Sequence, residues 1–173
     1  MIGTDVTVEP ATADDLGAID EIYNHFVRTS PATFDVEPHS MAWRREWFAT
    51  FAGTGPYRLL VARDEGVVAG YAATLRYRYK PAYETSVEMT VYVASERAGR
   101  GVGRVLYEAL LPLLEREDVH RAYAGIVVPN PASVRLHEAF GFRHVGTFTE
   151  QGRKFGRYWD VAWYERPVPL PSH

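Results

Sequence analysis

Residues 96–115 read ERAGRGVGRVLYEALLPLLE, a glycine-rich loop followed at once by an apolar helical pattern. The loop alternates glycines with two arginines: Gly99, Arg100, Gly101, Gly103 and Arg104. Free backbone N–H groups at a helix N-terminus favour an anion, and the arginines add positive charge. A glycine loop alone is a weak signal, so the segment indicates either a phosphate-binding loop or a tight turn with solvated arginines.

Two common phosphate-binding loops do not fit this segment. A P-loop requires Gly-Lys-Ser/Thr, and GVGRVL at residues 101–106 has neither that lysine nor the hydroxyl. A dinucleotide-binding fingerprint has G-x-G-x-x-G after the first strand, with an acidic residue about 20 positions later. Here the spacing is G-x-G-x-G and the loop lies in the middle of the chain. Both kinds of nucleotide-binding domain are therefore disfavoured.

The composition is that of an ordinary globular protein. The chain has 173 residues, which predicts one domain over residues 1–173, and 46% of them are hydrophobic. The net charge of -3 gives no reason to expect a nucleic acid or an anionic membrane as partner. The absence of cysteine excludes disulfides, thiolate catalysis and cysteine-ligated zinc. The N-terminus MIGTDVTVEP lacks a signal-peptide pattern and no apolar run reaches membrane-spanning length, so we expect a cytoplasmic protein.

Hydrophobic periodicity predicts a mixed α/β sheet flanked by helices, in the order β-α-α-β-β-β-α-β-α-β-β. The first predicted helix ends near residue 28, and the others begin near residues 40, 101 and 130. The predicted strands lie near residues 6–9, in a hairpin at 57–79, and near 85–94, 121–128, 143–150 and 158–165. Pro112 is expected to kink or end the third helix, and residues 167–173 are expected to form a loose tail.

The strand before the glycine loop, TSVEMTVYVA at residues 85–94, carries a carboxylate within an apolar run. Side chains alternate across a strand, so one row is expected to face the core: Val87, Met89, Val91 and Val93. Glu88 falls in the other row with Thr90 and Tyr92. A buried carboxylate is costly unless it is paired or used, and burial raises its pKa towards that of a general base. The strand alone favours the alternative, a paired glutamate on an exposed sheet face.

The predicted helix after residue 130 holds three polar residues, Asn130, Ser133 and His137. Asn130 and Ser133 are plausible helix caps, and His137 shares a helix face with Ser133 because it follows four positions later. A single histidine is more often structural than catalytic. The remaining histidines show no metal-ligand spacing: His25, His39, His120, His144 and His173. We therefore predict no metal site.

Taken together, these segments resemble the GNAT N-acetyltransferase family. ASERAGRGVGRVLYEAL at residues 94–110 is similar to its pyrophosphate-binding signature, Q/R-x-x-G-x-G/A, and NPASVRLHEAFGF at residues 130–142 resembles its second cofactor segment. Four stretches further resemble the phosphinothricin and methionine sulfoximine acetyltransferases: EIYNHFVRTSPATFDVEP, YETSVEMTVYV, PNPASVRLHEAFGF and GRKFGRYWDVAWYERP. They span nearly the whole chain in the order of that family.

The resemblance implies acetyl-CoA as donor, a small-molecule amine as acceptor, and a homodimer. The implied cofactor-binding residues are Val91, Tyr92, Val93, Arg100, Gly101, Val102, Gly103, Arg104, Asn130 and Ser133. The implied acceptor pocket contains Phe34, Arg78, Lys80, Tyr83, Thr90 and Tyr92. Glu88 matches the family's general base, and His137 stands where many members place an acid tyrosine and phosphinothricin enzymes place histidine. One position departs from the signature, because Ala98 replaces Gln or Arg; the adjacent Arg97 offers a substitute cation.

Elementary chemistry agrees with the implied reaction. An ammonium group must lose a proton before it attacks a thioester. Glu88 is the candidate to accept that proton, directly or through water. A strand amide near Tyr92 or Val93 is expected to stabilise the oxyanion, and His137 or a tyrosine to protonate the leaving thiol. Without cysteine, direct transfer in a ternary complex is favoured over an acyl-enzyme. Arg78 and Lys80 are suited to the carboxylate or phosphinate end of an amino acid analogue.

Three other functions stay open on the sequence. The first alternative keeps the acetyl transfer but has another amine or a protein N-terminus as acceptor, although Arg78 and Lys80 argue against a cationic acceptor. A non-catalytic acetyl-CoA-binding module is a second alternative, opposed by Glu88 within SVEMTVYV. A nucleotide-binding domain is the third. The sequence leaves undecided the physiological acceptor, the oligomeric state, and whether His137 is an acid, a base or a scaffold.

Overall fold

The computed structural model describes residues 6–169, and its helices and strands follow the predicted order. The strands are β1 (Thr7–Pro10), β2 (Leu59–Asp64), β3 (Val67–Arg76), β4 (Ser86–Val93), β5 (Arg121–Val128), β6 (Arg143–Lys154) and β7 (Arg157–Pro167). The helices are α1 (Leu16–Thr29), α2 (Met41–Phe48), α3 (Val102–Leu114) and α4 (Pro131–Ala139). The mixed α/β architecture expected from hydrophobic periodicity is therefore confirmed.

The strands form one sheet of seven, in the order β1-β2-β3-β4-β5-β7-β6. Every neighbouring pair is antiparallel except β4 and β5, which are parallel. That parallel ladder is short, because it runs only from Ser86 opposite Arg121 to Glu88 opposite Tyr123. Beyond Glu88 the two strands separate, and the sheet opens into a cleft between their C-terminal halves.

Helices cover both faces of the sheet. On one face α3 buries Leu106, Leu110 and Leu114 completely, in one cluster with Val87 and Met89 of β4. On the other face α1 buries Ile19 in a cluster that includes residues of β2 and β3. Each buried leucine stabilises the fold by about 1.5–3 kcal/mol relative to an exposed one. The core-facing row predicted for β4 is confirmed at its first two positions, whereas Val91 and Val93 are only partly buried because they border the cleft.

Three details differ from the predictions. The third helix continues for two residues beyond Pro112 and ends at Leu114. The last two strands are longer than predicted and meet in a tight turn, where Phe155 and Gly156 have φ values of 54° and 75°. Val168, predicted to lie in a loose tail, is 4% exposed and donates its N–H to the carbonyl of His120. The rest of that predicted tail, residues 170–173, lies outside the described residues.

Among residues 6–169, no helix is long and apolar enough to cross a membrane. Within the same range, no group of three or more histidine, aspartate or glutamate residues is arranged to hold a metal ion.

Candidate active site

A cavity of about 560 Å³ lies in the cleft between β4 and β5. Its walls are the separated ends of the two strands, residues 89–93 and 124–127, and the start of α3 at residues 101–104. The polar residues Asn130, Ser133 and His137 of the fourth-helix region close another side. The cleft thus brings together the strand, the glycine loop and the later helix that the sequence singled out separately.

The glycine loop presents three free amides to this cleft. Gly101 precedes α3 with a left-handed φ of 85°, which lets the chain turn sharply into the helix. The N–H groups of Gly101, Val102 and Gly103 have no hydrogen-bond acceptor among residues 6–169. The amides of Arg100 and Arg104, also predicted to hold pyrophosphate, instead donate to the carbonyls of Arg97 (3.4 Å) and Gly101 (3.0 Å). Three adjacent donors at a helix N-terminus form a suitable site for a phosphate oxygen.

Gly103 also keeps the cleft open by having no side chain. A Cβ atom at this position would lie 3.0 Å from Cδ2 of Leu136 on α4 and 3.7 Å from Cγ2 of Val91 on β4. Contacts as short as the first of these force a neighbour to move. The loop glycines therefore serve two purposes, turning at Gly101 and close approach at Gly103.

The arginines around the loop differ in whether they line the cleft and whether they are ion-paired. Arg97 was expected to supply the positive charge that Ala98 lacks. It lies along the cleft, but its guanidinium pairs with Asp64 at 2.5 Å. That pairing neutralises its charge, so Arg97 does not replace the signature residue as a free cation. Arg104 lies along the cleft and pairs on the surface with Glu108. Arg100 is exposed and is not part of the cleft wall, whereas Arg135 of α4, which sequence analysis missed, is.

The edge of β4 offers backbone groups to the cleft. The N–H of Ala94 donates to the carbonyl of Ala69 and so points towards β3. Backbone groups alternate sides along a strand, so those of Val91 and Val93 point the opposite way, towards the gap left by β5. They lie beyond the last paired position, Glu88, and have no strand partner there. An extended ligand with amide groups can pair with this edge.

Glu88 lies where the β4–β5 ladder ends, opposite Tyr123. It is half-buried, and among residues 6–169 its carboxylate has no ion pair and no hydrogen bond. Burial raises the pKa of this carboxyl group, and the positive charge of Arg78 partly opposes that rise. The alternative of a paired surface glutamate is therefore not what the structure shows. Its neighbours Met89 and Thr90 form the adjacent cleft wall.

Both ring nitrogens of His137 are occupied. Nδ1 lies 2.8 Å from the carbonyl oxygen of Ser133, and Nε2 lies 2.9 Å from the hydroxyl of Tyr107. A carbonyl only accepts, so Nδ1 carries the proton and Nε2 accepts from Tyr107. Burial lowers the pKa of His137, which is 3% exposed, although the bond to Ser133 partly opposes this effect. The ring is therefore neutral and fixed in one orientation.

Asn130 acts as the cap of α4, because its side-chain oxygen accepts the N–H of Ser133 at 3.1 Å. Since that bond uses the amide oxygen, the side-chain NH₂ group is left as a donor beside the cleft.

The predicted acceptor residues divide into two groups. Thr90 and Tyr92 line the cleft, and Tyr92 packs against the rings of Tyr23 and Phe26 at 5.1 and 5.3 Å. The other four do not line it: Phe34, Arg78, Lys80 and Tyr83. Arg78 stacks over Tyr77, the ring of which also packs against Tyr83 and Tyr123. That aromatic group adjoins Glu88, because Tyr123 is its partner on β5.

Residues of β5, β6 and β7 that the sequence did not single out pack behind this region. The indole of Trp163 covers Gly125, where a Cβ atom would lie 3.2 Å from the ring. The ring of Phe34 packs on the backbone of Gly152. The ammonium group of Lys154 donates hydrogen bonds to backbone carbonyls within residues 26–33. A glycine inside a strand is a signal of such close approach, but it does not identify the partner.

Comparison with known proteins identifies related sequences and structures. A family model described as an acetyltransferase (GNAT) domain matches residues 8–163. A phosphinothricin N-acetyltransferase of Streptomyces coelicolor is 57% identical over 171 residues, which cover 97% of this chain and 100% of the relative. An L-methionine sulfoximine/L-methionine sulfone acetyltransferase of Pseudomonas aeruginosa is 35% identical and covers 92% of each chain. The crystal structure of a phosphinothricin acetyltransferase from Sinorhizobium meliloti in complex with acetyl-CoA superposes with a TM-score of 0.89 at 35% identity, covering 94% of this chain and 88% of that one.

Proposed function

The chain belongs to the GNAT acetyltransferase family, and we propose that it acetylates the α-amino group of a small amino acid analogue. It is an N-acetyltransferase with acetyl-CoA as its cofactor, as the resemblance implied. Phosphinothricin, methionine sulfoximine and methionine sulfone are the proposed acceptors, because relatives of 57% and 35% identity bear the first and the latter two names. The unpaired carboxylate of Glu88, at the end of the β4–β5 ladder and next to the cleft wall that begins at Met89, is the observation that carries the proposed chemistry.

The donor end of the cleft fits the chemistry of coenzyme A. The free amides of Gly101, Val102 and Gly103 are proposed to hold the pyrophosphate, with Arg100 and Arg104 nearby. The backbone edges of Val91 and Val93 are proposed to pair with the amides of pantetheine. Tyr92 lies between them, and Asn130 and Ser133 are placed to donate hydrogen bonds from the opposite side.

We assign the general base to Glu88. Bound acetyl-CoA supplies an activated thioester, and the protein has to remove a proton from the attacking ammonium group. A carboxylate whose pKa is raised by burial is a better base than an exposed one, and general base catalysis typically contributes about 10²–10⁴-fold in rate. The backbone amide of Val93 is the proposed donor to the negative charge that develops during transfer.

His137 is proposed to act as a scaffold rather than as an acid. The family position makes it a candidate acid, but its single proton is donated to the carbonyl of Ser133 and its other nitrogen accepts from Tyr107. A neutral, buried imidazole with both nitrogens occupied has no proton available for the leaving thiol. Its proposed role is to fix α4 along the wall of the cleft.

The acceptor is proposed to bind beside Glu88. Arg78 and Lys80 provide positive charge for its carboxylate or phosphinate group, and they lie in the segment between β3 and β4. The pocket is completed by Phe34, Tyr83, Thr90 and Tyr92. A homodimer is part of the same proposal, and the exposed apolar side chains Val145, Phe148, Phe155 and Tyr158 of β6, β7 and their connecting turn support it.

The test measures coenzyme A release from acetyl-CoA with a panel of amino acid analogues, for the natural chain and for Glu88→Gln. We expect turnover of phosphinothricin or methionine sulfoximine, and a fall in kcat of about 10²–10⁴-fold in the variant. Acetyl-CoA affinity is expected to stay unchanged, because the donor end does not include Glu88. Glu84→Gln, an exposed glutamate four positions away, is the matched control.

Two outcomes would redirect the assignment. If no analogue is acetylated while acetyl-CoA still binds, the acceptor is another amine, such as a protein N-terminus, or the chain is a non-catalytic acetyl-CoA-binding module. If the analogues are acetylated and Glu88→Gln retains its rate, the acceptor class holds and Glu88 is not the base.

A further inference from the structure

Lys154, at the end of β6, is a buried lysine whose hydrogen-bond acceptors are all backbone carbonyl oxygens, and its ammonium also lies over the ring of Phe155. Its ammonium group donates to the carbonyls of Ser30 at 2.8 Å and Thr33 at 2.7 Å, and approaches that of Phe26 at 3.5 Å. The residue is 4% exposed, and it has no ion pair among residues 6–169; the charge of Asp35 partly offsets the lowering of its pKa by burial. A lysine is rarely buried without a carboxylate, because desolvation of its charge is costly. These carbonyls lie at and just beyond the C-terminus of α1, where the helix dipole favours a cation.

Gly152, two residues earlier on β6, holds the same region by a second contact. The ring of Phe34 lies directly on its backbone, and a Cβ atom at position 152 would lie 2.3 Å from Cε2 of that ring. No side chain fits there unless Phe34 moves. Gly152 and Lys154 therefore fix two parts of one segment, the chain from Ser30 to Asp35, which we call the 30–35 loop.

The 30–35 loop borders the cleft next to Tyr92. Ala32 and Phe26 form part of the cleft wall, and Phe26 packs against Tyr92. The loop is anchored on its other side by Asp35, which accepts hydrogen bonds from Tyr23 and His39. The hydroxyl of Thr33 also bonds Tyr23, so α1 and the end of β6 together fix the loop. The contacts of β6 with the loop are at Ser30, Thr33 and Phe34.

We propose that Lys154 and Gly152 are positioning residues that set the width of the acceptor end of the cleft through the 30–35 loop. The inference rests on the proposed function, because it assigns the loop to the acceptor rather than to acetyl-CoA. Neither residue touches the three free amides or the edge of β4. Changes at the end of β6 therefore alter acceptor use and leave the donor site intact.

The first experiment compares Gly152→Ala with Gly146→Ala. Both glycines lie on β6 without a left-handed φ, but a Cβ atom at Gly146 meets nothing within 4 Å. We expect Gly152→Ala to lower kcat/KM for the acceptor by about 10- to 100-fold, mainly through KM, because displacement by about 1 Å has effects of this size. The dissociation constant of acetyl-CoA is expected to stay within about twofold in both variants, since no donor contact changes. Gly146→Ala is expected to behave like the natural chain.

The second experiment does not depend on turnover. Amide hydrogen exchange is measured by mass spectrometry for Lys154→Met and for Arg166→Met, which removes another buried cation, paired with Glu115. Exchange in residues 30–35 is expected to rise about tenfold or more in Lys154→Met and not in Arg166→Met, because exchange reports local opening. If Lys154→Met does not fold, Gly152→Ala is measured in its place.

The outcomes separate this inference from the proposed function. Unchanged exchange in the 30–35 loop of Lys154→Met or Gly152→Ala overturns the inference, whatever the acceptor is. An equal loss of acetyl-CoA affinity in Gly152→Ala also overturns it, because the loop then serves the donor. A panel without turnover combined with faster loop exchange and intact acetyl-CoA binding refutes the proposed acceptor and retains the positioning role.

Discussion

The two ends of the cleft are built in different ways. The proposed donor end consists mainly of backbone groups, the amides of residues 101–103 and the free edge of β4, and these lie close together in the sequence. The proposed acceptor end depends on side chains from distant segments, such as Lys154, the ammonium group of which bonds the carbonyl of Thr33, 121 positions away. A backbone site depends on chain geometry and tolerates many side chains, whereas a side-chain site changes with each substitution. On this proposal the fold sets the donor site, whereas individual side chains set the acceptor site.

If this contrast is correct, substitutions at the two ends affect different measured quantities. Changes in the glycine loop alter the affinity for acetyl-CoA, and changes near Glu88 or the 30–35 loop alter acceptor kinetics. Changes in the hydrogen bond between Tyr107 and His137, which supports the α4 wall, alter stability with little effect on activity. The following variants test each of these expectations.

Among these further variants, the largest effect is expected for Gly101→Val. A β-branched residue at a φ of 85° is strained by about 1–3 kcal/mol, and the adjacent free amides move when the turn relaxes. We expect the dissociation constant of acetyl-CoA, measured by calorimetry, to rise at least about tenfold, equivalent to about 1.4 kcal/mol.

Gly66→Val provides the control for that variant. Gly66 has a φ of 80° in the turn between β2 and β3, with open space around it, so it suffers the same backbone strain away from the cleft. Both variants are expected to lose thermal stability, and only Gly101→Val to lose acetyl-CoA affinity. Equal affinities would show that the loop amides do not hold the cofactor.

A smaller effect is expected for Arg78→Met, in the pH dependence of the reaction. The positive charge of Arg78 lowers the pKa of Glu88 and so opposes the effect of burial. Removal of that charge raises the pKa, so the carboxylate form is lost at a higher pH as the solution is acidified. The acidic limb of the kcat/KM profile is therefore expected to shift to higher pH.

Arg76→Met is the matched control, because Arg76 is exposed near the end of β3 and is not among the charges that act on Glu88. A shift towards lower pH in Arg78→Met, or an equal shift in both variants, would contradict the assignment of that limb to Glu88.

The smallest effect on activity is expected for Tyr107→Phe. Loss of the hydroxyl leaves Nε2 of His137 buried without a donor, which lowers the free energy of unfolding by about 1–3 kcal/mol. We expect kcat to stay within about threefold, because a lost acid or base typically costs about 10²–10⁴-fold. Tyr164→Phe, which changes another buried tyrosine, is the control for stability. A fall in kcat of about a hundredfold would assign the pair to proton transfer instead.

The same contrast explains how much the sequence could predict. The order of elements and the glycine loop were predictable, because each is a local pattern along one strand or at one helix end. The unpaired state of Glu88 was not, because its strand alone favoured a paired glutamate on an exposed sheet face. The pairing of Arg97 with Asp64 was not, since those residues are 33 positions apart and no spacing rule links them. The role of Gly152 and Lys154 was hidden for the same reason. Only the folded sheet shows that β6 reaches α1.

The three-residue ladder between β4 and β5 has a mechanical consequence. Few backbone hydrogen bonds join the half of the sheet from β1 to β4 to the half from β5 to β7, so their cohesion depends largely on the core beneath α3. A ligand that pairs with the exposed edge of β4 and contacts α4 would link the two halves of the sheet. Occupation of the cleft would then stiffen the whole molecule, and resistance to heat and proteolysis would rise with the concentration of the ligand.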